Sequence, residues 1–196
     1  MTRYFIIYKP YQVLSQFSAQ PGKKSLRDFF KVPPDVYPVG RLDYDSEGLL
    51  ILTNDTSLNH RLLQPEYLHE REYRVQVEKV ITKDAIGLLE AGVNITVNGK
   101  NYRTRPCKVI PFQQEPAVPK RHPPIRYRKN IPACWIRVIL TEGKNRQVRK
   151  MTAKAGFPTL RLIRYRIGNI TLDGLQPGDM KELSRATVYK QLFGMP

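Results

Sequence analysis

Four acids stand in the segment VGRLDYDSEGLLILTND: Asp43, Asp45, Glu47 and Asp55. The chain around them holds 33 Lys and Arg against 17 Asp and Glu, a formal charge of +16. A basic protein that gathers carboxylates beside Arg41, just ahead of the apolar run Leu-Leu-Ile-Leu, invites three readings. The plainest is a solvated loop. A calcium loop would put Asp43, Asp45 and Glu47 at its first, third and fifth positions with Gly48 at the sixth, but its twelfth needs a bidentate Glu and is Asn54. The third reading is a catalytic carboxylate. An Asp on a turn before a buried strand sits at a rim, where loops on a rigid scaffold carry active groups. Arg41 would share the face of Asp43 in an extended segment. That chemistry needs no metal, and a phosphate loop is not supported, since no Gly-rich segment ends in Lys-Ser/Thr.

The charge is uneven. Residues 1–100 carry 13 basic and 12 acidic side chains, whereas residues 101–196 carry 20 and 5. Between Lys120 and Arg166 there are 14 Lys and Arg and a single acid, Glu142. Such asymmetry points to a polyanion, and nucleic acid is favoured over a membrane surface because no basic amphipathic helix with a broad apolar face is evident. A merely soluble basic surface is the competing reading. No apolar run approaches the roughly 20 residues that span a bilayer, and the N-terminus lacks the pattern of a secretory signal; a cytoplasmic location is expected. Cys107 and Cys134 have no Cys-x-x-Cys spacing, so neither a disulfide framework nor a zinc site is expected.

The elements that must position these residues follow from hydropathy period and punctuation. RYFIIY (3–8) and LLILT (49–53) read as buried strands. SLRDFFK (25–31) reads as a short helix capped by Ser25, TSLNHRLL (56–63) as a helix ended by Pro65. EYRVQVE (72–78) alternates, with Tyr73, Val75 and Val77 on one face. A helix over 82–92 is capped by Thr82 and stopped by Gly92. CWIRVILTE (134–142) reads as a strand. NRQVRKMTAKAG (145–156) reads as a helix with Asn145 at its N-cap and a core stripe of Val148, Met151 and Ala155. TLRLIRYRIG (159–168) reads as an alternating strand and RATVYKQLF as a terminal helix. Strands outnumber helices without strict alternation, which predicts α+β with mixed sheets. The Pro-rich stretch 111–132 reads as a long loop.

The segment VGRLDYDSEGLLILTND resembles the signature of the RsuA-type pseudouridine synthases. YKPYQVLSQF (8–17), EYRVQVE, EGKNRQVRKM (142–151) and PTLRLIRYRIG (158–168) resemble further motifs of that family, in its order and over nearly the whole chain. PPIRYRKNIPACW (123–135) is similar to the subgroup that modifies a uridine of 23S ribosomal RNA. The resemblance implies one catalytic domain over 1–196, of two lobes flanking a central cleft, with a lobe boundary near 66–72 and no S4 domain. It implies isomerisation of uridine in RNA without cofactor or metal, by a monomer. Asp43 matches the family's essential carboxylate, Tyr73 the ring that packs on the base, and Arg149 the cation paired with Asp43. Arg41 is the candidate to fill the space that a flipped base vacates. Lys9, Asn145 and Arg146 are expected at phosphates or in motif packing. Arg126, Arg128 and Lys129, in the loop from Pro119 to Pro132, are expected to grip phosphates. The same chemistry on small-subunit rRNA or tRNA, and a non-catalytic basic RNA-binding protein, are the alternatives.

Overall fold

The computed structural model describes residues 1–125 and 131–194. Arg126, Arg128 and Lys129 therefore lie outside the described residues. The chain divides into two compact units: Met1–His69 with Arg164–Pro196, and Glu70–Ile163.

In the first unit, strand β1 (Tyr4–Lys9) is buried along its whole length. The short strands β2 (Val13–Leu14) and β3 (Lys24–Ser25) pair in parallel. Ser25 then begins a single 3-10 turn, Leu26–Asp28, in which the Ser25 N–H donates to the Asp28 carboxylate at 2.7 Å. The predicted helix shrinks to this one turn. Strand β4 (Tyr37–Pro38) pairs with β5 (Glu47–Thr53). β5 is buried at every position, so both of its faces are covered, as its unbroken apolar run requires. It pairs antiparallel with β1, from Tyr4 opposite Thr53 to Lys9 opposite Gly48. Helix α1 (Thr56–Leu63) follows, and Asp55 Oδ1 accepts from the N–H groups of Ser57 and Leu58 as its N-cap. Phe5, Ile7, Val13, Leu26, Phe30, Val36, Leu50 and Leu52 form one apolar cluster of this unit.

The second unit opens with β6 (Arg71–Glu78), whose Tyr73, Val75 and Val77 are buried as the alternation predicts. Helix α2 (Lys83–Glu90) is capped by Thr82, which accepts from the Ala85 N–H at 3.2 Å. A hairpin of β7 (Asn94–Val97) and β8 (Lys100–Arg103) turns at Asn98-Gly99, both with positive φ, 50° and 76°. β9 (Lys108–Pro111) and β6 flank β10 (Ala133–Leu140), both antiparallel to it. Helix α3 (Gln147–Lys154) packs Val148 and Met151 into a core with Tyr73, Val75, Val138 and Leu162.

Strand β11 (Thr159–Ile167) crosses the unit boundary after Ile163. Its burial does not alternate: Arg161 and Arg164 are both 5% exposed. The returning chain adds β12 (Ile170–Thr171), β13 (Met180–Glu182), which pairs with β1, and helix α4 (Arg185–Phe193). The α+β class expected from the sequence is what is found. No helix among the described residues is long and apolar enough to cross a membrane.

Candidate active site

The four acids of the opening segment have three different fates. Asp55 is structural. Besides capping α1, its Oδ2 accepts from the hydroxyls of Tyr4 at 2.7 Å and Tyr189 at 2.8 Å. Burial raises the Asp55 pKa, but these hydrogen bonds outweigh it and hold the carboxyl below its usual range. Glu47 is the first residue of β5 and is buried. Asp43 and Asp45 are half-buried, on the turn that leads into the strand.

That turn is pinned through its backbone. The Ser46 N–H donates to the Asp43 carbonyl at 3.0 Å, and the Gln12 N–H to the Tyr44 carbonyl at 2.9 Å. The Ser15 hydroxyl donates to the Leu42 carbonyl at 2.7 Å and accepts from the Leu42 N–H at 3.0 Å. The residue preceding Asp43 is thus held on both its polar backbone groups by one side chain. Downstream, Gly48 has φ +113°, and a Cβ there would lie 2.3 Å from the Arg164 carbonyl oxygen and 2.7 Å from its nitrogen. Only glycine lets β5 begin so close to that backbone. The Arg164 Nε donates in turn to the Leu49 carbonyl at 2.8 Å.

Lys9 supports the same turn from beneath. It has no exposed surface, and its Nζ donates to the carbonyls of Val13 at 2.7 Å and Pro10 at 3.0 Å. Burial brings its pKa down to about 7, against the opposing pull of Glu47, Asp43 and Asp45, while Arg164 pushes it the same way as burial. Lys9 is therefore corrected as a phosphate contact. It is enclosed in the protein and ties the segment 10–13, which carries Gln12 toward Tyr44. Arg41 is exposed, two residues before Asp43.

In the second unit Tyr73 is 9% exposed and its ring belongs to the core cluster, opposite Val138 in the β6–β10 register. Arg149 is half-buried on α3, while Asn145 and Arg146 are exposed just ahead of that helix. Asn145 is not the N-cap. Arg146 occupies that position in a left-handed conformation, φ 52° and ψ 32°. The entry to the helix is fixed by Gln147 instead, whose Oε1 accepts from the Lys144 N–H at 2.9 Å and whose Nε2 donates to Glu142 at 2.6 Å. Glu142 is the node. Buried, it also accepts from the Tyr102 hydroxyl at 2.5 Å and the Arg105 N–H at 2.9 Å. Its bond to the Tyr102 hydroxyl is the chief cause of that tyrosine's raised pKa.

Sequence reasoning passed over Ser15, Glu142 and Gln147. The lone acid in a basic stretch was a usable signal for Glu142, because an isolated carboxylate there has a reason to be kept. Ser15 had no such signal. Among the described residues no group of three His, Cys, Asp or Glu side chains is arranged to hold a metal ion.

The arrangement so far is a clamped, half-exposed carboxylate in an α+β scaffold with a strongly basic second half. A family model described as RNA pseudouridylate synthase matches residues 3–154, and the chain belongs to that family. It is an RNA pseudouridine synthase, an isomerase.

Within the family, a protein of Vibrio vulnificus named ribosomal large subunit pseudouridine synthase E is 48% identical over 179 residues, 91% of this chain and 74% of that one. The protein of the same name from Xanthomonas axonopodis pv. citri is 47% identical, over 88% of this chain and 89% of its own. Ribosomal large subunit pseudouridine synthase B of Bacillus subtilis is 34% identical over 182 residues, 92% of this chain and 68% of that one. A crystal structure of a pseudouridylate synthase shares the fold, with a TM-score of 0.78 at 24% identity, covering 98% of this chain and 74% of that chain.

Proposed function

We propose that this protein isomerises a uridine of the large-subunit, 23S ribosomal RNA, acting as a monomer, with Asp43, Tyr73 and Arg149 as its catalytic residues. Two proteins named large-subunit synthases that are 47–48% identical over about nine-tenths of the chain support the ribosomal substrate. Uridine and pseudouridine are isomers, so atoms balance with no co-reactant. The bond from C1′ to N1 of the base breaks, a bond from C1′ to C5 forms, and a proton leaves C5 while N1 gains one. Asp43 acts at the sugar. Tyr73 packs on the detached uracil and keeps it in place while it turns. Arg149 supplies the cation that the reacting carboxylate takes as its partner. Arg41 enters the stack where the target base has left it, which offsets part of an unstacking cost of a few kcal/mol. Asn145 and Arg146, exposed before α3, take phosphates, and so do Arg126, Arg128 and Lys129.

The observation that carries this reading is the Asp43 turn: a half-exposed carboxylate whose backbone neighbours are held by Ser15, Gln12 and Ser46, beside an exposed arginine. A non-catalytic RNA-binding protein has no use for an acid so fixed. The test is to map pseudouridines in the rRNA and tRNA of cells lacking the protein, with and without a restoring copy. One missing site in large-subunit rRNA, regained with the wild-type copy but not with Asp43→Asn, is the expected result. A missing site in small-subunit rRNA or tRNA would overturn the substrate and keep the chemistry.

A further inference from the structure

We propose that the first unit carries a stacking subsite for an unpaired RNA base, built from Tyr67, His69, Arg61 and Phe193. The proposal rests on the reading of this chain as an enzyme acting on RNA, and names where a nucleotide other than the target is held.

Four observations lead to it. The Tyr67 ring is 49% exposed and the His69 ring lies 5.9 Å from it at an interplanar angle of 20°. His69 packs in turn against Phe193, 5.2 Å between centroids. The Arg61 guanidinium lies 3.8 Å over Phe193 and 5.7 Å from the Tyr67 ring. These side chains thus form a continuous aromatic and cationic layer with one outer ring facing solvent. The second observation is backbone support. Tyr67 ends the 3-10 turn Pro65–Tyr67, and Leu68 follows with φ 50°, a left-handed conformation uncommon for leucine. The His69 ring is tied to the Arg61 carbonyl at 3.2 Å. The layer is held in place rather than collapsed into the core.

Third, helix α1, which carries Arg61, also reaches the catalytic turn. Leu63, at the end of α1 and 49% exposed, reaches Gly40, where a Cβ would meet its Cδ2 at 3.1 Å. Gly40 precedes Arg41 and lies three residues before Asp43. Fourth, the charge suits a polyanion. Arg61 sits within the layer, and Arg185 and Lys190 are on the neighbouring helix α4, with the Arg185 guanidinium 5.0 Å from the Tyr189 ring. Glu66, exposed on the same turn as Tyr67, is set against these three.

Exposed rings with an arginine at their faces are what single-stranded nucleic acid needs, because each base offers a π-face and stacking tolerates any sequence. When the target uridine leaves its stack, a neighbouring base loses a partner. An exposed ring in the first unit can receive it. A protein partner would find fewer advantages here: the exposed apolar side chains, Leu63, Tyr67 and Leu68, are few and bordered by charge.

The test uses the full chain and an oligoadenylate of about ten nucleotides, within the site sizes of single-strand binders. Lacking uridine, the probe reports binding apart from turnover. Tyr67→Ala should weaken its binding roughly five- to a hundredfold, the range for losing one stacking ring. The slope of affinity against salt should stay unchanged, since no phosphate contact is removed. Tyr67→Phe should bind within about twofold of wild type, because the π-face remains. Equal oligoadenylate affinity in Tyr67→Ala overturns the proposal. So does a weakened affinity with a flattened salt slope, which would make the patch a phosphate contact. Self-association lost in Tyr67→Ala, or lost binding to protein-containing ribosomal particles with oligoadenylate affinity intact, would give the face to a protein and overturns it too. If wild type forms no pseudouridine in any RNA, the functional reading fails while the binding result still stands on its own.

Discussion

Asp43 and Glu142 occupy similar places in the two units. Each is an acid just outside regular structure, Asp43 ahead of β5 and Glu142 behind β10 and ahead of α3. Their environments are opposite. Glu142 is buried, and its carboxylate is engaged by a phenol, a backbone N–H and an amide. Those neutral donors satisfy it without a counter-charge, and it serves as a strut that joins β8, the segment after it and the start of α3. Asp43 is half-buried, and the hydrogen bonds that fix its turn run through backbone atoms of residues 42–46. A carboxylate surrounded by donors stabilises a fold. One whose turn is fixed through the backbone and whose side chain is half-exposed is placed for chemistry.

The comparison can be broken first at Glu142. Glu142→Ala should leave the buried Gln147 amide and the part-buried Tyr102 hydroxyl and Arg105 N–H without their acceptor and cost about 3–4 kcal/mol of stability, the penalty of several donors left unsatisfied at once. Denaturant unfolding measures it. A loss below about 1 kcal/mol, the range of an exposed ion pair, would remove the distinction between strut and tool.

Lys9 gives the next largest effect. Its pKa in the folded protein, about 7, is depressed by burial below the ordinary lysine value of 10.5. Between those values the unfolded chain binds the proton and the folded one does not, so stability rises with pH through that window. Below about pH 7 both states are protonated and the burial penalty is present in full. From pH 7.5 to 9.5 the group should add about 2–3 kcal/mol. Lys9→Met should show a correspondingly flatter profile in the same unfolding experiment. Identical profiles would mean that Lys9 keeps its charge in the fold.

Ser15→Ala sharpens the contrast on the other side. Freeing both polar groups of Leu42 should cost only about 1–2 kcal/mol. Because the carboxylate next to it loosens, the single-turnover rate should fall roughly ten- to a hundredfold with RNA affinity unchanged. Ser15→Thr, which keeps the hydroxyl, should recover most of the rate. A fall in stability with no fall in rate would make the clamp purely structural.

The legible and illegible parts of the molecule divide along the same line. Helices α1 and α4 stand where TSLNHRLL, ended by Pro65, and RATVYKQLF predict them, because those signals are local. Strand β5 was legible because seven buried residues in a row leave no other pattern. The hairpin at Asn98-Gly99 was readable and overlooked, since that pair is the strongest short-range turn signal. β11 stands where it was expected as a strand, but its alternation fails for a reason no local rule supplies: Arg164 is buried and bonds a carbonyl 115 residues away in the chain. The same holds for the site. The acid cluster marked Asp43, but Ser15 reaches Leu42 across 27 residues and Gln147 binds Glu142 only because Gln147 is turned inward at the start of α3. For Lys9 the sequence left phosphate contact and motif packing both open, because its burial depends on where the carbonyls of residues 10 and 13 fall.

The central claim is that Asp43 is the carboxylate that acts. Its most direct test is single-turnover conversion of a large-subunit rRNA fragment by purified Asp43→Asn, with RNA affinity and melting temperature measured on the same sample. The account predicts no detectable pseudouridine, an affinity within a few fold of wild type and an unchanged melting temperature, since the side chain is nearly isosteric and half-exposed. Conversion at a rate comparable to wild type would contradict it.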